Sequence, residues 1–171
     1  MRFVAAGDRE AIVLREELIG RAMDTGAAEL MTANLWLWEV EQADPKPQVI
    51  VSALLSHSGL PGRALLEPNV SSGPWVRLSP EAAHAAAVRL LSAGASMEVA
   101  AFADDGEAAM GFADRVFAWV GRPVTSFASM EHRPDGSAAG FGVFHVPHWV
   151  DEGLVLIGPE RVGMLWFVGT D

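Results

Sequence analysis

At 171 residues the chain has the length of one domain, and half of it is hydrophobic against a fifth charged, a globular rather than disordered composition. It contains no cysteine, which excludes disulfide scaffolds, Cys-ligated zinc, iron–sulfur clusters and thiol nucleophiles. Twelve Lys and Arg against 22 Asp and Glu give a net charge of -10, a balance that disfavours binding to phosphate backbones and to anionic membranes.

The acidity is concentrated at the two ends. Residues 1–45 carry nine acids to four bases and 104–171 carry ten to four, whereas 46–103 carry three to four. The mildly apolar start ends at Asp8-Arg9-Glu10, too early for a secretory signal. No run reaches the ~18 apolar residues of a membrane span. A cytoplasmic protein, folded as a single globular domain over 1–171, is the expectation.

In chain order, Asp8 reads as the N-cap of a helix reaching about Met23, with Ala11, Leu14, Leu18 and Ala22 as its buried stripe and Ile12, Arg15 and Glu16 around it. Leu35–Val40 alternates as a strand that puts Trp36, Trp38 and Val40 on one face. After Asp44-Pro45-Lys46-Pro47, the apolar segment Val49–Leu55 reads as a second strand. Ser56–Gly73, rich in Gly, Pro and Ser, reads as a long loop, a place where function often resides.

Trp75–Leu78 is a short strand. Ser79-Pro80-Glu81 then opens an alanine-rich helix that ends near Ala93, with Gly94 behind it. Met97–Ala103 reads as a strand. Asp104 is placed to cap the next helix, with Glu107 completing a capping box, Met110, Ala113, Val116, Phe117 and Val120 making it amphipathic and Gly121 ending it. Val124–Glu131 and Ala138–Val146 flank the turn signal Arg133-Pro134-Asp135-Gly136. Gly153–Ile157 and Val162–Val168 flank Gly158-Pro159-Glu160-Arg161. The pattern predicts an α+β domain: a mixed, largely antiparallel sheet covered by about three helices on one face, with a C-terminal β-meander of two hairpins.

Three constellations carry chemistry. His145 and His148, with Asp151 and Glu152 following, supply nitrogen and oxygen donors suited to zinc or manganese, although Pro147 and the spacing rule out a metalloprotease helix. Asp104-Asp105-Gly106-Glu107 opens a helix, where a carboxylate serves as magnesium ligand, as general base, or simply as a cap. Gly140-Phe141-Gly142-Val143-Phe144 echoes the base-stacking strand of RNA-recognition motifs, but an alanine replaces the leading basic residue and Val143 replaces an aromatic. With the acidic charge, this leaves close packing or a bulge as the reason for the glycines. No Gly-x-Ser-x-Gly elbow and no phosphate loop is present.

Of the six tryptophans, Trp119 and Trp166 lie in apolar contexts and read as core, while Trp149, in an expected loop, is the candidate contact residue. His57 sits in the Ser56–Gly73 loop as a second one. The sequence therefore favours a small acidic, non-enzymatic module of inhibitor or immunity type that binds a basic protein partner and needs no cofactor. One alternative is a metal-dependent hydrolase with His145 and His148 as zinc or manganese ligands and Asp104 or Asp151 as ligand or base. Another is a small-molecule binding domain with its pocket under the 56–73 loop. Apolar strands such as 162–168 suit pairing across a homodimer as well as within one sheet.

Overall fold

The computed structural model describes residues 3–24, 33–41, 46–57, 75–95, 100–103, 105–121, 125–132, 138–140 and 149–170. A short strand β1 (Phe3–Ala5) leads into helix α1 (Arg9–Asp24), which starts where Asp8 Oδ1 accepts the Ala11 N–H at 3.0 Å. Its buried residues are Ala11, Leu14, Leu18 and Ala22, the stripe that the spacing predicts. Strand β2 (Ala33–Val40) follows, with Trp38 and Val40 buried on one face beside the partly buried Trp36, and Leu35 and Leu37 on the other.

The expected second strand is instead a helix, α2 (Pro47–His57). Pro47 pre-sets the first helical φ, and the Lys46 carbonyl accepts from Val49 N (2.9 Å) and Ile50 N (3.3 Å) to close the first turn. Adjacent Ile50 and Val51 are both fully buried while Val49 is exposed, a pattern no half-buried strand can produce. The β-branched run points to a strand by propensity, and packing overrides it. This helix also takes in Ser56 and His57 of the expected loop, whose remaining residues, 58–73, lie outside the described ones.

Strand β3 (Val76–Leu78) precedes α3 (Pro80–Ala93), capped by Ser79, whose Oγ accepts from Ala82 N at 3.2 Å, and closed by Gly94 at φ 71°. Next comes α4 (Gly106–Val120). Between the two helices, 101–103 forms a turn and not part of a strand. Ala100, Ala101 and Phe102 are all buried, so this short run fills the space between helices without alternating, and Phe102 N donates to Leu91 O at 2.9 Å. The N-cap of α4 is Asp105, whose Oδ1 accepts from Ala108 N at 3.0 Å, and not Asp104. With the cap one residue later, Glu107 falls at the second helical position, so the expected capping box is not formed.

The rest of the chain is β4 (Thr125–Ala128), β5 (Met130–His132), β6 (Ala138–Gly140), β7 (Trp149–Ile157) and β8 (Arg161–Thr170). The first expected hairpin divides at Ser129: β4 joins the main sheet, while β5 and β6 pair as a separate ribbon with His132 opposite Ala138. A Cβ on Gly140 would overlap the Ser129 carbonyl, so close packing accounts for that glycine. The second hairpin forms as predicted around 158–161, but β7 begins at Trp149. Residues 149–152 are therefore strand and not an acidic loop.

The fold is α+β. A six-stranded sheet runs in the order β1-β2-β8-β7-β4-β3, and every described pair in it is antiparallel. Strand β8 lies between β2 and β7, and residues 162–167 are paired on both sides within this one sheet. Helices α1, α3 and α4 cover one face with a core that includes Leu14, Leu18, Phe112 and Trp119. The fourth helix, α2, covers the other face through Ile50 and Val51, which pack in a cluster with Trp38, Met164 and Trp166. No described helix is long and apolar enough to cross a membrane.

Candidate functional site

Extending β7 back to Trp149 places the two adjacent acids in a strand, where alternation sends them to opposite faces. Both are buried, Asp151 at 1 % and Glu152 at 3 % exposure. A carboxylate is costly to bury unless it is hydrogen-bonded or paired, so the partners of each define what the site can do.

Asp151 lies on the α2 face, where its Oδ1 accepts the Trp166 indole N–H at 2.9 Å. The indole reaches it by crossing Gly153. A Cβ there would sit 2.5 Å from both Trp166 Cδ2 and the Leu165 carbonyl oxygen. Trp75 packs edge-on against the same indole, with ring centroids 6.2 Å apart.

Glu152 lies on the opposite face, among the apolar side chains of Leu154 and Leu156 and beneath α3. Its Oε1 accepts His132 Nε2 at 2.7 Å from β5 and is also bonded by Arg89 Nη2 from α3. The Glu152 side chain is 4 % exposed, whereas those of Arg89 and His132 are 34 % and 39 % exposed. Ser129 makes this convergence possible. Fully buried, it exchanges two hydrogen bonds of 3.1 Å with Gly153, its Oγ accepting from Gly153 N and its own N–H donating to Gly153 O. The chain then leaves the main sheet for β5 and carries His132 back over β7.

A second polar feature lies at the other end of the sheet. An open cleft of about 510 Å³ is lined by Val4, Glu39, Val40, Glu41, Glu160 and Arg161. Its Arg161 is committed inward: the guanidinium stacks 4.7 Å from the Trp119 ring centroid and donates from Nη1 to Trp119 O at 2.9 Å. Trp119 Nε1 in turn donates to both Asp8 oxygens, at 3.0 and 3.2 Å. The Ala11 backbone N–H holds the Asp8 carboxyl below its ordinary value, with Trp119 and the Arg161 charge adding to the effect. Asp8, Trp119 and Arg161 thus fasten α1, α4 and β8 together and leave the three glutamates as the cleft's available charge.

Of the residues singled out from sequence, His145, His148 and Asp104 lie outside the described residues. Trp149 is the first residue of β7, paired with Thr170, and His57 is the last of α2. Asp151 is brought against Trp166 as above. Among the described residues, no group of three or more His, Asp or Glu converges as a metal site. The Arg89–Glu152–His132 cluster was not anticipated. The available signals were a Glu breaking the apolar register of 150–156 and an Arg that is the only Lys or Arg of an alanine-rich helix. No family model, curated protein or solved structure matches this chain.

Proposed function

We propose that the chain is a small cytoplasmic protein-binding module that covers a basic partner in the manner of an inhibitor or immunity protein. The carrying observation is the acidic cleft. Glu39, Glu41 and Glu160 are exposed around it, and Val4, 46 % exposed, supplies apolar wall. A lysine or arginine side chain matches that lining, its methylene stem along Val4 and its charged head among the carboxylates. The net charge of -10 steers a basic protein toward the surface from a distance, and the cleft gives the encounter an address. The same charge speaks against nucleic acid as the partner.

The test is an amide NMR titration with a short oligoarginine peptide. Shifts should concentrate at Val4, 39–41 and 160–161. Binding should weaken at least about tenfold between roughly 0.05 and 0.5 M salt, and likewise in the triple variant Glu39→Gln, Glu41→Gln, Glu160→Gln. Shifts spread evenly over every acidic surface of the molecule would remove the cleft as the binding site.

A further inference from the structure

At the opposite end of β7 from that cleft, the structure assigns a second site: Arg89 and His132, held by the buried Glu152 carboxylate, form a receptor for a small oxyanion, a phosphate or carboxylate group. Packing alone does not call for an ionised group at position 152. The next residues on that face of β7, Leu154 and Leu156, are apolar, and a buried ion pair is generally no more stable than an apolar replacement of similar volume. The carboxylate is 4 % exposed, yet both of its partners keep about a third or more of their side-chain surface in water. The negative charge is thus sealed inside while the guanidinium and the imidazole that it orients stand at the surface.

The chemistry of the pair follows from that arrangement. A carboxylate only accepts hydrogen bonds, so the proton on His132 must sit on Nε2, and in the neutral ring Nδ1 carries the lone pair. Arg89 has five N–H donors in a planar fork, and among the described residues Glu152 is its one ion-pair partner, through Nη2. Both groups bond to the same carboxylate oxygen, so their heads are neighbours. The guanidinium fork recognises an oxyanion through charge-assisted hydrogen bonds, and the Nδ1 lone pair of the imidazole beside it, whose tautomer is fixed from below, accepts a hydrogen bond from a ligand O–H such as that of hydrogen phosphate.

The test follows the ring resonances of His132 and His84 by long-range proton–nitrogen NMR, titrating the intact protein with inorganic phosphate and, separately, with acetate. His84 is the internal control, since it pairs with Asp114 at 2.9 Å on α3 and α4, away from Glu152. Saturable shifts of His132 that exceed those of His84 are expected with one or both anions. Phosphate alone would identify a tetrahedral ligand and acetate alone a carboxylate. Arg89→Gln should weaken the response at least about tenfold, and Arg89→Lys, which keeps the charge but loses the fork, should weaken it less. A His132 response that is linear, equal to that of His84, or unchanged by Arg89→Gln in a protein with wild-type amide spectra would overturn the assignment.

Discussion

The Trp166 indole donates to Asp151 by lying across the backbone of Gly153, so one missing side chain lets a buried carboxylate and a buried indole satisfy each other. In Gly153→Ala the new methyl would overlap Trp166 Cε3 and stand 2.5 Å from the Leu165 carbonyl oxygen, which is backbone and cannot step aside. We expect a loss of about 2–3 kcal/mol, measured by urea unfolding. Gly163→Ala, whose methyl would meet mainly the Val120 side chain at 3.0 Å, should cost less. Equal losses would mean that the indole does not need the glycine.

Asp8 should govern part of the acid limb of stability. Its carboxyl is held below 3.8 in the folded chain, first by the Ala11 N–H and then by Trp119 and Arg161. A depressed folded value stabilises above the unfolded value and is lost as pH falls through the folded one. Asp8→Ala should cost about 1 kcal/mol near neutral pH. The gap between wild type and Asp8→Asn should close as pH drops below 3.8. A gap independent of pH would assign the effect to shape and not to charge.

Ser126 is buried at 1 % exposure, and its hydroxyl has no hydrogen-bond partner among the described residues. Ser126→Ala removes that unsatisfied group with little change in volume, so chemical denaturation should find the variant more stable by about 0.5–1 kcal/mol. A destabilised variant would show that the hydroxyl is satisfied.

The Glu152 cluster allows a similar separation of fold from function. Glu152→Leu continues the apolar face of Leu154 and Leu156, and Arg89 and His132 are exposed enough to hydrate, so stability should stay within about 1 kcal/mol of wild type. Arg89→Ala leaves a buried carboxylate with His132 alone and should cost about 2 kcal/mol. The reverse order in calorimetry would make Glu152 a stabilising element in its own right.

Where local chemistry and tertiary packing agree, the fold is legible from the sequence. The α1 stripe of Ala11, Leu14, Leu18 and Ala22, the Ser79-Pro80 start of α3 and the β7–β8 turn all appear where spacing and capping rules put them. Short continuous apolar runs are ambiguous, because periodicity cannot separate a buried strand from a buried helix. Val49–Leu55 and 100–103 are such runs: the first is a helix on the second face of the sheet, and the second includes the turn that plugs the space between α3 and α4. The cluster around Glu152 was hidden for a different reason. His132 and Arg89 lie 20 and 63 residues before Glu152 in the chain, and the acids of β7 resemble a solvated turn until strand pairing shows them buried.

The outer strands of the six-stranded sheet, β1 and β3, are three residues each, while β7 and β8 at its centre are nine and ten. Among the described strands, β7 and β8 therefore each lie between two others, and the outer strands β1 and β3 present ladders of only three residues. A protein with this much buried β-surface would otherwise be a candidate for fibrous growth. Its arrangement predicts that aggregation, when it occurs, begins with unfolding that exposes β7 and β8 and not with native molecules joining edge to edge.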